Sequence, residues 1–259
     1  MSTGNSKGMP GLTSGGQDDL LRVQDLRVYF DTPRAVIKAV DGVSFAVKQQ
    51  EAFGLVGESG SGKSVTCKSI VQIIHPPGKI VSGIVEYKKQ DLLAMSKQEL
   101  NDIRGREIAM IFQDPMTALN PVLRIREQIQ ETLEEDMSLS QQEGRERAIE
   151  LLKMVGIPAP ERRLNQYPHQ FSGGMRQRVM IAIALSRNPN LMLADEPTTA
   201  VDVTIQDQIL KLLLYLQDEL GMGMVLVTHD LGIIAQTCDR VAVMYAGRIM
   251  EMTDTITLF

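Results

Sequence analysis

Apolar and polar positions divide the chain into short strand-like runs and longer helical stretches. Leu20–Phe30 and Val36–Val47 are β-rich and partly alternating, with Thr32–Pro33 between them, and predict an antiparallel pair. Ala52–Val56, Ile108–Phe112, Leu191–Ala194 and Met224–Val227 are short apolar runs that predict buried strands. Lys79–Lys88 and Val241–Tyr245 add two more strands. A helix is expected from Lys63 to about Ile74, stopped by Pro76–Pro77–Gly78. Ser96-Lys97-Gln98-Glu99 and Ser140-Gln141-Gln142-Glu143 are capping-box patterns. The second lies within Arg124–Gly156, a stretch of helical character, after which Pro158, Pro160 and Pro168 break the chain. Gly173–Ser186 and Leu231–Gln236 read as helices, and Thr204–Leu220 shows a helical period through Ile205, Ile209, Leu212, Leu213, Leu216 and Leu220. Strands alternating with helices imply a parallel α/β core. The helical stretch from about 115 to 187 interrupts it and predicts a subdomain.

Composition narrows the function classes. A chain of 259 residues suits one large domain or a core with a subdomain. The net charge of −5 disfavours general binding to nucleic acid or anionic lipid. Cys67 and Cys238 are too few for a four-cysteine metal site, and His75, His169 and His229 are too scattered for a histidine-based one. The longest apolar run, Val179–Leu185, falls far short of the roughly 18 residues that span a bilayer. Residues 1–16, rich in Ser, Gly, Thr and Pro, read as a flexible tail without the apolar stretch of a signal peptide. The expectation is a soluble, cytosolic chain whose membrane role, if any, comes through a partner.

Candidate chemistry then enters at three places. Gly57-Glu58-Ser59-Gly60-Ser61-Gly62-Lys63-Ser64 fits the phosphate-binding pattern G-x-x-x-x-G-K-[ST] in full, between an apolar strand and a helix. Glycines let backbone N–H groups turn towards an anion, and the following helix points its positive end the same way. Lys63 would meet the β/γ-phosphates and Ser64 a Mg²⁺ ion. Asp195 and Glu196 follow the apolar run Leu191–Ala194, and a parallel strand's carboxyl end opens onto the ligand crevice. Asp195 would support Mg²⁺, and Glu196 would polarise the attacking water. Finally, Ser172-Gly173-Gly174 opens another helix suited to an anion. One nucleotide cannot easily occupy both helix ends of one subunit, so a dimer in which each chain completes the other's site is expected.

With these residues in order, the sequence resembles the nucleotide-binding subunits of ABC transporters over roughly residues 20–252. The resemblance implies an α/β fold: a P-loop NTPase (RecA-like) core, an N-terminal antiparallel β subdomain and an inserted α-helical subdomain. It implies a tail at 1–18, core segments at 19–114 and 188–252, helices at about 115–187 and a C-terminal end at 253–259. Nucleotide binding falls to Phe30 as the adenine-stacking aromatic (Tyr29 being the weaker choice) and to Gly57, Glu58, Ser59, Gly60, Ser61, Gly62, Lys63, Ser64, Val65 and Thr66. Ser172, Gly173, Gly174 and Met175 match the signature motif, acting on the partner's nucleotide, with Met where many members have Gln. Thr199-Ala200-Val201-Asp202 matches the D-loop, with Val where Leu is usual, and Asp202 shapes the dimer contact. Gln113 matches the Q-loop glutamine and His229 the switch histidine; Glu196, His229 and Gln113 are the expected catalytic set, and Ser64, Gln113 and Asp195 the Mg²⁺ set.

Finer wording resembles the peptide/nickel importer group. Ile111-Phe112-Gln113-Asp114-Pro115-Met116-Thr117-Ala118-Leu119-Asn120-Pro121 and Tyr167-Pro168-His169-Gln170-Phe171 preceding the signature carry that likeness. It implies a Mg²⁺- and ATP-dependent subunit held peripherally on the cytoplasmic side of the membrane by permease subunits. A second ATPase, identical or paralogous, and an extracytoplasmic solute-binding protein complete the implied complex. The alternative is a soluble ABC-type ATPase of DNA repair or translation. The region between Ser64 and Ser172 holds only modest helices, not the long coiled coils of repair members, and the chain has one cassette where translation members usually have two. An ATP-binding module without turnover is disfavoured by the intact Glu196 and His229.

Overall fold

The computed structural model describes residues 19–134, 139–199 and 201–259. The tail expected at 1–18 lies outside these, as does Ala200 of the D-loop pattern. In chain order the elements are β1 (Asp19–Asp31), β2 (Val36–Lys48), β3 (Ala52–Val56), α1 (Lys63–Ile70), β4 (Gly78–Tyr87), β5 (Gln90–Asp91), α2 (Lys97–Ile103) and β6 (Ile108–Ile111). Among the described residues, five α-helices follow without a strand: α3 (Pro115–Ala118), α4 (Ile125–Glu134), α5 (Gln141–Met154), α6 (Pro160–Arg163) and α7 (Gly173–Ala184). The chain then runs through β7 (Leu191–Asp195), α8 (Val203–Leu220), β8 (Gly223–Thr228), α9 (Leu231–Thr237), β9 (Arg240–Tyr245), β10 (Arg248–Asp254) and α10 (Thr255–Leu258).

Two sheets result, in the orders β2-β1-β4-β5 and β10-β9-β3-β8-β7-β6. The first is antiparallel. In the second, β9, β3, β8, β7 and β6 are parallel, and only β10 runs against its neighbour. Every residue of β3, β7 and β8 is buried, which explains why these strands are continuous apolar runs, not alternating ones. Successive side chains still point to opposite faces. Leu191, Leu193, Val225 and Val227 meet β1, β2 and α1 on one side. Met192, Ala194, Met224 and Leu226 meet the helical side, with Ile129, Leu152 and Val179. The stacked rings of Phe45 and Phe53, with centroids 5.1 Å apart, tie the antiparallel sheet to the parallel one. This layering leaves the carboxyl ends of β3, β6, β7 and β8 at one edge.

Local signals set several boundaries. Both capping boxes form: Ser96 and Ser140 accept from the N–H groups of Glu99 and Glu143, whose carboxylates accept from the serine N–H groups. The expected helix to Ile74 instead ends at Ile70. Arg104 donates to the carbonyls of Val71 at 2.8 Å and Gln72 at 2.9 Å, satisfying groups the helix leaves open. The helical stretch expected from Arg124 to Gly156 is two elements, α4 and α5, with 135–138 outside the described residues.

Residue 252, placed at the domain's end by the sequence, lies inside β10, and the fold continues through α10. Asp254 pairs with Arg240, and the Thr255 N–H donates to the Asp239 carbonyl at 2.9 Å. Ala246 and Gly247 both have positive φ, the two-residue turn that suits strand twist. That turn braces the phosphate loop: the Gly247 N–H donates to the Ser61 carbonyl at 2.9 Å. No helix among the described residues is long and apolar enough to cross a membrane.

Candidate nucleotide site

Residues 57–62 join β3 to α1 as a loop that folds around the Lys63 side chain. The Lys63 ammonium is buried and donates to the carbonyls of Gly57 at 2.6 Å and Glu58 at 2.8 Å. Burial pushes its pKa below the ordinary lysine value, opposed by the charges of Glu196 and Asp195. Gly62 caps α1 at φ +106°, and a Cβ there would stand 2.3 Å from the Ala39 carbonyl oxygen. Gly62→Ala is therefore expected to cost about 1–3 kcal/mol and to lower Tm by about 2–12 °C. Thermal unfolding of the variant checks this, and an unchanged Tm would contradict the close approach.

Ser64, on the first turn of α1, donates its hydroxyl to Asp195 Oδ1 at 2.6 Å. Asp195 ends β7 and is 2% exposed. Burial raises its carboxyl above the usual carboxylate range, with the Ser64 hydrogen bond acting in the opposite sense. A hydroxyl and one carboxylate are hard oxygen donors of the kind that hold Mg²⁺ when substrate phosphates and waters complete the shell. The described residues contain no cluster of three or more His, Cys, Asp or Glu suited to a metal. The donor set thus fits an ion bound jointly with a nucleotide, as distinct from an all-protein cage.

Glu196 follows directly, with φ +47°, in the left-handed region that costs a non-glycine residue about 1–2 kcal/mol. Its N–H donates to the Val227 carbonyl at 3.0 Å, locking that backbone to β8. Three side chains converge on its Oε2 atom. Gln113 Nε2, beyond the end of β6, donates at 3.1 Å. The Thr199 hydroxyl donates at 2.8 Å. His229 Nδ1, beyond β8, lies 3.4 Å away. The fold therefore assembles three strand ends around one carboxylate.

A cavity of about 830 Å³ runs along this edge. Phe30, Ile37 and Ala39 form an apolar end; Glu58, Ser59, Gly60, Gly62, Lys63, Ser64 and Val65 form the middle. Gln113, Glu196, Thr199 and His229 form the polar end. Gly57, Ser61 and Asp195 stand outside this lining. Of the two aromatic choices, Phe30 lines the cavity, whereas Tyr29 donates its hydroxyl to Asp41 at 2.7 Å. Thr66 requires a correction. It is fully buried, and both its hydroxyl and its N–H donate to the Gly62 carbonyl at 2.9 Å, so it offers the cavity nothing. Thr199 was the residue the sequence left without a role of its own; its place three residues after Glu196 was the available signal.

The second glycine motif is elsewhere. Ser172 caps α7, accepting from the Met175 N–H at 3.3 Å, and none of Ser172, Gly173, Gly174 and Met175 lines the cavity. Ser172 and Gly173 are exposed, and Met175 packs partly into the helical core. A Cβ on Gly174 would come within 2.6 Å of Ile205 Cγ2, so α7 and α8 approach closely there. Asp202 caps α8 by accepting from the Ile205 N–H at 3.0 Å.

A phosphate loop, a hydrogen-bonded Ser–Asp pair and a shielded carboxylate at the carboxyl ends of parallel strands define a nucleotide-hydrolysing P-loop fold. The family model described as "ABC transporter" matches residues 40–199, and the chain belongs to that family of ATP-hydrolysing cassettes, whose ligands are ATP and Mg²⁺. It is 52% identical to the oligopeptide transport ATP-binding protein OppD of Bacillus subtilis (strain 168) over 90% of its length, spanning 65% of that protein. It is 49% identical to the dipeptide transport ATP-binding protein DppD of Shigella flexneri over 93% of its length, spanning 73% of that protein. The fold matches a dimeric, post-hydrolysis structure of the ATP-binding cassette MJ0796 bound to ADP and Pi. That match has a TM-score of 0.81 and 31% identity, and covers 91% of this chain and 98% of the other.

Proposed function

We propose that this chain is the ATP-hydrolysing subunit of a peptide importer. The observation that carries the hydrolytic reading is the convergence of Gln113, Thr199 and His229 on Glu196 beside the phosphate loop. ATP would lie along the cavity with adenine against Phe30 and its phosphates on Gly57–Ser64 and on Val65 in the first turn of α1. Lys63 would turn from the loop carbonyls to the β/γ-phosphates. Ser64, Asp195 and Gln113 would hold Mg²⁺, which supplies positive charge to the phosphate oxygens when bound. Glu196 would orient the attacking water and accept its proton, and His229 would hydrogen-bond the γ-phosphate.

The signature residues Ser172–Met175 lie outside the cavity, which favours their use on a nucleotide held by a second ATPase subunit. Asp202, capping α8 close to Gly174, would shape that dimer contact. The helices between residues 115 and 187 would pass the resulting motion to transmembrane permease subunits on the cytoplasmic side. An extracytoplasmic solute-binding protein would deliver the peptide. Peptide as the solute is supported by relatives named for oligopeptide and dipeptide transport. Purification of the membrane complex with identification of its bound solute tests this. Permease subunits and peptides are expected; nickel without peptide, or a permease-free complex on DNA or ribosomes, would overturn the reading.

A further inference from the structure

We infer that Thr199 is a positioning residue for hydrolysis, holding the Glu196 carboxylate through Oε2 while its other two partners engage the nucleotide. The inference rests on the assignment of Glu196 as the base and deepens it. Glu196 has three side-chain torsions and a left-handed backbone, so its carboxylate needs external restraint to stay aimed at one point. Thr199, Gln113 and His229 all reach Oε2. A carboxylate has about four acceptor sites, so Oε1 keeps acceptor capacity for a water proton.

The three partners are not equivalent. Gln113 and His229 stand on loops beyond other strands, and under the proposed function both have tasks at the metal and the γ-phosphate. Meeting those tasks draws them from Oε2. Under the proposed function Thr199 is assigned no task at the metal or the γ-phosphate. It is fixed to Glu196 by a short turn, its N–H donating to the Glu196 carbonyl at 3.3 Å while its hydroxyl donates to the carboxylate at 2.8 Å. Its bond therefore travels with Glu196 when the other loops move. Thr199 lines the cavity and is exposed, so altering its side chain opens no core void.

The test compares wild type, Thr199→Val, Thr199→Ser and Glu196→Gln as full chains in steady-state ATP hydrolysis, with nucleotide affinity measured separately. Thr199→Val keeps the shape and removes the donor. It should lower kcat about tenfold, the worth of roughly 1.4 kcal/mol, with KM and ATP affinity within about twofold of wild type. Thr199→Ser restores a hydroxyl and should recover most of kcat. The inference is overturned if Thr199→Val turns over normally while Glu196→Gln is inactive. It is equally overturned if Thr199→Ser fails as badly as Thr199→Val, or if the loss falls on KM and affinity. Normal hydrolysis by Glu196→Gln would instead remove the base assignment itself, and this inference with it.

Discussion

Glu196→Gln is expected to lower ATP turnover by about 10²–10⁴-fold, the usual contribution of a positioned general base, while ATP and Mg²⁺ still bind. Gln keeps the length and planarity of the side chain. Its amide oxygen can still accept from Gln113 and Thr199, whose donors lie 3.1 and 2.8 Å from Oε2. The phosphate loop, Ser64 and Asp195 are untouched, so affinity should persist. The property lost is the ability to accept a proton from water. Phosphate release beside equilibrium nucleotide binding checks both halves. Because bound ATP is no longer consumed, the variant should also accumulate as an ATP-bound dimer, visible as a doubling of mass in light scattering.

Lys63→Ala should act on the other half, weakening ATP affinity by about 10–100-fold and abolishing productive turnover. A hydrogen bond to a charged group contributes about 1.5–3 kcal/mol, which sets that range. Two losses combine. The point charge facing the β/γ-phosphates disappears, and the carbonyls of Gly57 and Glu58 lose the donor that now shapes the loop around them. The depressed pKa of the buried ammonium points the same way: the site burdens this cation with burial, a strain that phosphate charge would relieve. Titration with a fluorescent nucleotide measures the change, and unchanged affinity would contradict the loop's assignment.

Legibility in the sequence followed burial and locality. β3, β7 and β8 are buried at every position, so their apolar runs announced them. β10 carries Arg248, Glu251 and Asp254 on a mostly exposed edge, with too little apolar pattern to be seen, although its turn braces the phosphate loop. The phosphate loop was legible because its chemistry is contiguous in the chain. Thr66 was misplaced by the same contiguity. It is near the loop in sequence, but α1 turns about 100° per residue and points Thr66 into the core beside Cys67. The surroundings of Glu196 depend on strand order, since Gln113 is 83 residues away from it, and motif order named the partners without giving their shared oxygen. Thr199 stood three residues after Glu196 in the sequence, but its bond to the carboxylate emerged from the hydroxyl's distance.

The central claim is that ATP sits on the Gly57–Ser64 loop and is completed by a second cassette. Its most direct test is a crystal structure of the Glu196→Gln chain with ATP and Mg²⁺. The triphosphate should lie along Gly57–Ser64 with the metal between Ser64 and Asp195, and a signature serine from a second cassette should face the γ-phosphate. A triphosphate bound away from this loop, or closed over by Ser172 of the same chain, would contradict the account.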